Sequence, residues 1–197
     1  MTALKNSAET PLPAHVRDRD IVIDSEGRVF VVLGHIQPSD RILDVGCGTG
    51  AMVKTARKLG VDAWGVDILP HDEPYLLRQD LREFCDLGKT FDLVTSIEVA
   101  EHIDPASTEI LCDTYARHVR IDGGLLVLTT AAPGQNGDGH VTLLDKIIWR
   151  DKLEARGLRY DGWATKRLVI MWEQTHWATH WCEQNLQVFH RFEMARS

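Results

Sequence analysis

An apolar strand that runs into three alternating glycines constrains the fold of this chain more than any other feature. Residues 41–50 have the sequence RILDVGCGTG. The apolar first half is the continuous run that a strand buried on both faces of a parallel sheet requires. The glycines allow a tight turn and leave room for a ligand where a Cβ would collide. A helix predicted over residues 51–59 would then point unpaired N–H groups at that ligand.

The spacing of these glycines indicates the kind of cofactor. A dinucleotide-binding turn usually has the pattern G-x-G-x-x-G, whereas this turn has D-x-G-x-G-x-G. The segment resembles motif I of class I S-adenosylmethionine-dependent methyltransferases, which implies S-adenosyl-L-methionine as cofactor. The resemblance implies that the turn carries the methionine part and that the acid opening the motif helps to hold its amino group. The residues assigned in this way are Asp44, Gly46, Cys47, Gly48 and Gly50. A tight turn without a ligand is the alternative for this segment alone.

Three further segments match the same family in the same order. A strand predicted over residues 61–66 ends in Asp67, whose carboxylate can accept both ribose hydroxyls, and Ile68 would lie against the adenine. A turn residue that ends the strand is the alternative for Asp67. By the same resemblance, Asp80 and Leu81 would meet the adenine amine and ring, although Asp80 could instead cap a short helix over residues 82–87.

The fourth matching segment is residues 91–103, FDLVTSIEVAEHI, which is similar to the fourth-strand motif of small-molecule methyltransferases. Ile97 within it is assigned to the cofactor. Glu98 and Glu101 are predicted to bind the substrate, because ligands of open α/β sheets lie beside the carboxyl ends of the strands.

Two histidines near this edge are the predicted catalytic residues. Transfer of a methyl group to a hydroxyl or amine needs the acceptor lone pair in line with the methyl group, and usually a base to take the proton. His102 has an intrinsic pKa that suits such a base. Packing against the cofactor or capping a helix is its alternative. His140 ends the glycine-rich segment 132–140, a predicted lid, and resembles the G-H-V element of small methyltransferases associated with glycan modification. We favour His140 as the general base, with a structural role at the entry to the next helix as the alternative.

Aromatic residues further along offer less specific signals. Trp149 is predicted to stack on a sugar or aromatic ring, with a place in the core as the alternative. His176 and His180 are four residues apart within an aromatic segment that ends at Cys182, a spacing that permits metal binding. No Glu follows the first histidine and no third ligand is evident, so no metal is predicted there, and a packing helix is favoured. Residues 185–189, NLQVF, resemble the closing strand of the same small methyltransferases.

The whole pattern predicts an α/β fold, a doubly wound Rossmann-like seven-stranded sheet that is mostly parallel with an antiparallel edge strand. Asp104 and Pro105 predict the start of a helix over residues 106–119. Thr142 and Asp145 predict a capping box for a helix that ends near residue 156. Strands near 158–163 and 186–192 would form an antiparallel pair at one edge. Residues 1–20 would be a loose N-terminal arm, residues 21–197 a single domain, and residues 26–36 a helix over the cofactor cleft.

The amino-acid composition limits the kinds of partner that this chain is expected to bind. A formal net charge of −7 over 197 residues gives no basic field for a phosphate backbone, so no nucleic acid is expected. The four cysteines are widely spaced and suggest neither a zinc site nor a disulfide framework. No stretch is long and apolar enough to span a bilayer and no secretion signal is evident, so no membrane partner and a cytoplasmic location are expected.

These features predict methyl transfer from S-adenosylmethionine to an oxygen or nitrogen of a small molecule, with a sugar or glycan precursor as one class of acceptor. A noncatalytic S-adenosylmethionine-binding sensor or partner subunit is one alternative. A nicotinamide-dependent oxidoreductase is another, although it expects a G-x-x-G step that this turn lacks. The sequence does not indicate which oligomeric state the protein adopts.

Overall fold

Residues 41–173 and 184–192 are described by a computed structural model, and their strands form one sheet. The strands are β1 Arg41–Val45, β2 Asp62–Asp67, β3 Leu76–Arg78, β4 Leu93–Ser96, β5 Leu125–Thr129, β6 Leu158–Tyr160 and β7 Leu186–Arg191. The α-helices are α1 Ala51–Lys58, α2 Thr108–His118, α3 Lys146–Glu154 and α4 Gly162–Glu173. Two single 3₁₀ turns, Ala100–His102 and Pro105–Ser107, follow β4.

The strand order is β3-β2-β1-β4-β5-β7-β6. The first five strands in this order pair in parallel, and β7 runs antiparallel to both β5 and β6. The predicted fold class and the predicted antiparallel pair at one edge are therefore confirmed. The reversed strand, β7, lies one place inside the edge that β6 forms.

The sheet has a hydrophobic core on each face, which is why its central strands carry almost unbroken apolar runs. In β1, Ile42 packs with the buried residues of α1 and α4, whereas its neighbour Leu43 packs with those of α2 and α3. Alternate side chains of one strand point to opposite faces, so one short sequence serves both cores. The largest side chains among these cores include Trp149 on one face and Trp172 on the other.

Helix starts follow the predictions in part. The Asp104 carboxylate accepts hydrogen bonds from the N–H and the hydroxyl of Ser107, which confirms the predicted cap, although a 3₁₀ turn precedes α2. The predicted capping box is wrong. Asp145 is the N-cap of α3 without a side-chain hydrogen bond, and the Thr142 hydroxyl donates to the carbonyl of Ile103 instead.

Two other predictions need correction. No helix follows Asp80, because residues 81–90 form turns and irregular backbone. The strand expected to reach Trp163 ends at Tyr160, because the Asp161 carboxylate accepts the N–H groups of Trp163 and Ala164 and starts α4. The predicted arm over residues 1–20, the helix over 26–36 and the histidine pair His176 and His180 lie outside the described residues.

Within the described part of the chain, every helix is too short or too polar to cross a membrane. Two basic residues that follow β5 make ion pairs with α2: Lys152 contacts Glu109, and Arg156 contacts Asp113 at 2.6 Å and Glu109 at 2.8 Å.

Candidate active site

The glycine turn, residues 46–50, joins β1 to α1 at the carboxyl edge of the sheet. The N–H of Gly48 donates to Oδ2 of Asp67 at 2.8 Å. The N–H groups of the two residues before it donate to the carbonyl oxygen of Val66, at 2.8 and 3.1 Å. These three N–H groups fix the turn against the end of β2. The expectation of unpaired N–H groups concerns the start of α1, at Ala51, and stays a prediction.

The three glycines of the turn are needed for different reasons. A Cβ on Gly46 would lie 2.3 Å from the Val99 side chain, and a Cβ on Gly50 would lie 2.3 Å from Leu76. A Cβ on Gly48 would have no neighbouring atom within 4 Å. Packing therefore explains the outer two glycines, whereas the middle one borders open space.

Three polar or sulfur-containing side chains surround the turn. The Asp44 carboxylate is buried and accepts a hydrogen bond from the Thr95 hydroxyl at 2.8 Å. The buried hydroxyl of Thr49 has no hydrogen-bond partner among the described residues. The Cys47 side chain is buried in the core on the α1 face, and burial raises the pKa of its thiol. The Thr49 hydroxyl is a candidate ligand group that the sequence interpretation did not single out.

Asp67 is held in a fixed orientation at the end of β2. Its Oδ2 accepts the N–H of Gly48, and its Oδ1 accepts the N–H of Leu69 at 3.0 Å. Each carboxylate oxygen has two lone pairs, so each retains capacity for one more donor. Two vicinal hydroxyls, as on a ribose, are donors that suit a carboxylate of this kind.

The residues predicted to surround the adenine are partly in place. Ile68 follows Asp67 and is 52% exposed, an apolar surface available to a ring. The Asp80 carboxylate makes a bidentate ion pair with Arg82, with contacts of 2.6 to 3.1 Å, and this contact lowers its pKa. Leu81 is buried and Ile97 is half-buried. The adenine contacts of these residues stay predictions.

S-adenosyl-L-methionine fits the residues at this edge. The space beside Gly48, the buried Thr49 hydroxyl without a partner and the oriented Asp67 carboxylate lie within one turn and the adjoining strand end. Together they offer a site for a small polar molecule with a nucleoside part.

The segment that follows β4 has an unusual backbone. Glu98 has a φ of 58°, in the left-handed region that non-glycine residues seldom adopt. Thr129, the last residue of β5, holds it there: the Thr129 hydroxyl accepts the N–H of Glu98 and donates to its carboxylate, both at 2.7 Å. Thr129 is a second residue that the sequence interpretation missed, and its position at the end of a central strand is the signal that could have found it.

Glu101 is the most unusual charged residue of the site. Its side chain is fully buried, and neither carboxylate oxygen has a hydrogen-bond partner among the described residues. Burial raises the pKa of Glu101 to about 8, with repulsion from Glu98 as a further cause. In the absence of a cation, such a carboxyl holds its proton at neutral pH.

The structure brings the two predicted catalytic histidines together. The ring centroids of His102 and His140 lie 5.0 Å apart, with the rings at 78° to each other. Both side chains are half-buried. One ligand atom from each of Glu101, His102 and His140 lies within 4.8 Å of the others, so the site combines a buried carboxyl with two imidazoles.

The end of the glycine-rich segment is anchored to the 3₁₀ turn after β4. The Glu101 carbonyl accepts the N–H groups of Val141 and Thr142, at 2.8 and 3.0 Å. Nδ1 of His102 lies 3.1 Å from the carbonyl oxygen of Gly139. A Cβ on Gly137 would lie 2.4 Å from the His140 ring, so this glycine lets the ring sit against the loop. Any lid motion therefore concerns the earlier part of the segment.

Trp149 does not reach the site. It is fully buried in the core on the α2 and α3 face, so the prediction that it stacks on a substrate ring is wrong and the core alternative holds. A cleft of about 390 Å³ lies elsewhere along α3. It is lined by Ala132, Gln135, Asp145, Lys146, Ile147, Gln184 and Asn185. The Gln135 carbonyl lies 3.2 Å from Nδ1 of His140, which connects this cleft to the histidine pair.

Comparison with known families gives one match over most of the chain. A model described as "Methyltransferase domain" matches residues 25–193. Among curated proteins, a ubiquinone biosynthesis O-methyltransferase of Rhizobium leguminosarum is 33% identical over 103 residues, which are 46% of this chain and 40% of that relative. A protein of the same name from Azorhizobium caulinodans is 37% identical over 76 residues, 32% of this chain and 30% of the relative. The matched region thus spans less than half the length of these curated relatives.

Solved structures of similar fold cover nearly the whole chain. The sugar N-methyltransferase KedS8 of a Streptoalloteichus species has a TM-score of 0.66 at 20% identity, with 98% of this chain and 99% of that chain covered. S-adenosylmethionine-bound CalS10, an amino pentose methyltransferase of Micromonospora echinaspora, has a TM-score of 0.63 at 19% identity, with 90% and 94% covered. These structures share the fold of this chain.

Proposed function

Because this chain belongs to the methyltransferase-domain family, we propose that it transfers a methyl group from S-adenosyl-L-methionine to an oxygen or nitrogen of a small molecule. The family match over residues 25–193 also supports one domain for most of the chain.

The observation that carries this proposal is the open space beside Gly48, next to a carboxylate in a fixed orientation. Asp67 accepts one backbone N–H on each oxygen and retains lone pairs for a diol. A Cβ on Gly48, whose N–H donates to Asp67, would have no atom within 4 Å. This combination of open space and a nearby oriented carboxylate supports a ligand at the turn.

When bound, S-adenosylmethionine supplies a methyl group that is already activated on a sulfonium. The contribution of the chain is mainly alignment of the acceptor atom with that methyl group and exclusion of water. For a hydroxyl acceptor, the site would hold the acceptor oxygen in line with that methyl group and take up the hydroxyl proton. The hydroxyl proton goes to a base, which we assign to the histidine pair, with His140 favoured.

The cleft beside α3 is the proposed entrance for the acceptor. Its lining includes the carboxylate of Asp145, the ammonium group of Lys146 and the amides of Gln135 and Asn185, together with the apolar side chains of Ala132 and Ile147. Amide and carboxylate groups suit a molecule with several hydroxyl or amino groups. A sugar or glycan precursor fits this lining, and the net charge of −7 favours a small acceptor over a nucleic acid.

The two alternatives predict different binding and turnover. A noncatalytic sensor would bind S-adenosylmethionine without turnover and would tolerate substitution of His102 and His140. A nicotinamide-dependent oxidoreductase would prefer NAD, and neither the family match nor the glycine spacing supports it.

Calorimetric titration with S-adenosylmethionine, S-adenosylhomocysteine and NAD tests the proposal. We expect the first two to bind and NAD not to bind. Replacing Asp67 by Ala is expected to weaken binding by about 1–3 kcal/mol, the scale for leaving polar ligand groups unpaired. A preference for NAD, or no binding of any of the three, would overturn the proposed function.

Asp62→Ala is the matched control, because Asp62 opens the same strand and contacts Arg57 and Trp64 away from the turn. Its cofactor affinity should equal that of the wild type. Turnover is then measured as release of S-adenosylhomocysteine with amino sugars, nucleotide sugars and phenols as separate acceptor sets. Binding without turnover in every set would favour the sensor alternative.

A further inference from the structure

We propose that Glu101, His102 and His140 together bind one divalent metal ion of the zinc type at the carboxyl edge of the sheet. The three residues come from two separate segments, the 3₁₀ turn after β4 and the loop after β5. Val99 packs over Gly46, so this cluster is next to the glycine turn.

The distances within the cluster suit a shared ion. One ligand atom of each residue lies within 4.8 Å of the other two. Histidine nitrogens and carboxylate oxygens lie about 2.0–2.2 Å from zinc, which places two ligands of a tetrahedral ion roughly 3.4 Å apart. Small rotations of the two half-buried imidazoles would bring the ligand atoms to these distances.

The hydrogen bonds of the imidazoles set the tautomer that a metal needs. Nδ1 of His102 faces the Gly139 carbonyl oxygen at 3.1 Å, and Nδ1 of His140 faces the Gln135 carbonyl oxygen at 3.2 Å. A carbonyl only accepts, so Nδ1 carries the proton in each ring and Nε2 carries the lone pair. Histidine ligands of metals are commonly oriented in this way, with the other ring nitrogen donating to a backbone carbonyl.

The buried carboxyl of Glu101 gives an independent indication of a cation. The side chain is fully buried and neither oxygen has a hydrogen-bond partner in the described part of the chain. A carboxylate in such a place must keep its proton or acquire a positive partner. A divalent ion would be such a positive partner.

The ligand types select the class of ion. Imidazole binds zinc and the neighbouring transition metals well, whereas magnesium and calcium prefer sets of oxygen ligands. Three protein ligands leave a fourth position open, as in catalytic zinc sites. Both imidazoles are half-buried and Glu101 is fully buried, so the cluster extends from the core to the surface.

The role of the ion, but not its binding, depends on the proposed function. With the ion bound, an acceptor hydroxyl at the open position would have its pKa lowered and would release its proton to solvent. The histidine pair remains the assigned base of the metal-free protein.

Calorimetric titration of the chelator-treated full chain with ZnCl₂, and separately with MgCl₂, tests the site. We expect one zinc-binding event and no comparable event with magnesium. Glu101→Gln and His140→Gln should each weaken zinc binding at least about 100-fold, because loss even of a group that orients a ligand costs 10- to 100-fold. Zinc binding should also release protons, measured as a dependence of the heat on the buffer.

His190→Gln is the matched control, because His190 lies on β7 and its imidazole pairs with Asp161, away from the cluster. Its zinc affinity should be unchanged. Thermal unfolding of each variant in chelator checks the fold, and Glu101→Gln should fold well because the amide is a neutral group of the same shape. No zinc binding by the wild type, or equal binding by the wild type and all cluster variants, would overturn the metal site.

Titration of the metal-free protein with S-adenosylhomocysteine separates this inference from the proposed function. Cofactor binding together with no zinc event would overturn the metal site and leave the methyltransferase proposal standing. Zinc binding that Glu101→Gln abolishes, together with no cofactor binding, would support the metal site and overturn the proposed function.

Discussion

The part of the carboxyl edge proposed for the cofactor, here the cofactor side, and the part proposed for the acceptor, here the acceptor side, are built in different ways. The cofactor side is made from β1, the glycine turn and the end of β2, which lie within one short stretch of chain. Backbone N–H groups of the turn hold it together by donating hydrogen bonds to the end of β2. The acceptor side joins the segment after β4 to the loop after β5, and side chains such as Thr129, Thr142 and the two histidines hold it together.

This difference has a physical consequence for substitutions. A local turn of glycines tolerates almost no added atoms, because its neighbours are already in contact. A cluster held by side-chain hydrogen bonds can lose one member and keep its backbone. Substitutions on the cofactor side should therefore affect folding most, and those on the acceptor side should mainly affect ionisation and positioning.

Gly46→Ala is expected to have the largest effect. The new Cβ would lie 2.3 Å from the Val99 side chain, at a φ of 81°. Overpacking and the left-handed backbone together should lower the free energy of unfolding by about 2–4 kcal/mol. Urea unfolding measures this loss, and cofactor affinity should fall as well.

Gly60→Ala is the control for Gly46→Ala. Its φ is 86°, but a Cβ there would meet no atom within 4 Å. It should cost only the backbone part, about 1 kcal/mol, with unchanged cofactor binding. Equal losses in the two variants would show that Val99 does not constrain the turn.

Gly48→Ala should separate binding from folding. With open space at its Cβ and a φ of 54°, it should cost about 1 kcal/mol of stability, as Gly60→Ala does. The added methyl would occupy the space proposed for the cofactor, so calorimetry should show affinity for S-adenosylhomocysteine at least about 10-fold lower, or about 1.4 kcal/mol. Unchanged affinity would place the ligand elsewhere on the edge.

Much of the cofactor side could be predicted from the sequence, because its determinants are local. The apolar run, the glycines and the acid at the end of β2 all fall where the motif implies, and the sheet topology follows from the alternation of elements. The hydrogen bonds by which Val66 and Asp67 accept the N–H groups of residues 46–48 were not predicted. Sequence patterns do not reveal which strand end closes onto a turn.

The acceptor side was harder to predict, because its contacts join residues far apart in the chain. His102 and His140 were singled out separately, and only the structure shows that their rings touch. Thr142 was assigned to a helix cap but bonds to Ile103 instead, and Trp149 was assigned to substrate but lies in the core. The burial of Trp149 depends on the packing of α3 against the sheet, and the other two outcomes depend on contacts between the segment after β4 and the loop after β5.

Glu101→Gln should change the pH dependence of stability on the acceptor side. The folded pKa of Glu101 is about 8, above its ordinary value of 4.5, so the folded state keeps a proton that the unfolded state loses between these values. The wild type should therefore lose stability as the pH rises from about 5 to 8, by up to about 1.4 kcal/mol per unit of pH. The Gln variant should lack this part of the slope.

Urea unfolding in chelator at several pH values across this range measures the difference between the two proteins. Glu98→Gln should reduce the slope only in part, because burial is the larger cause of the raised pKa of Glu101. Parallel pH profiles for wild type and Glu101→Gln would contradict the assignment of a buried, protonated carboxyl.

Thr142→Val should have the smallest effect and test how the acceptor side is held. The Thr142 side chain is buried, and its hydroxyl donates to the Ile103 carbonyl. Valine keeps the shape but leaves that carbonyl without this donor, which should cost about 1 kcal/mol. Thr108→Val is the matched control, since Thr108 is also buried and its hydroxyl donates to the Pro105 carbonyl at the start of α2. Both variants should lose similar stability in urea, but only Thr142→Val should weaken zinc binding, because only Thr142 ties the loop of His140 to the turn that carries Glu101. Equal zinc affinity in the two variants would mean that the Glu101 carbonyl, through Val141, is enough to hold the acceptor side in place.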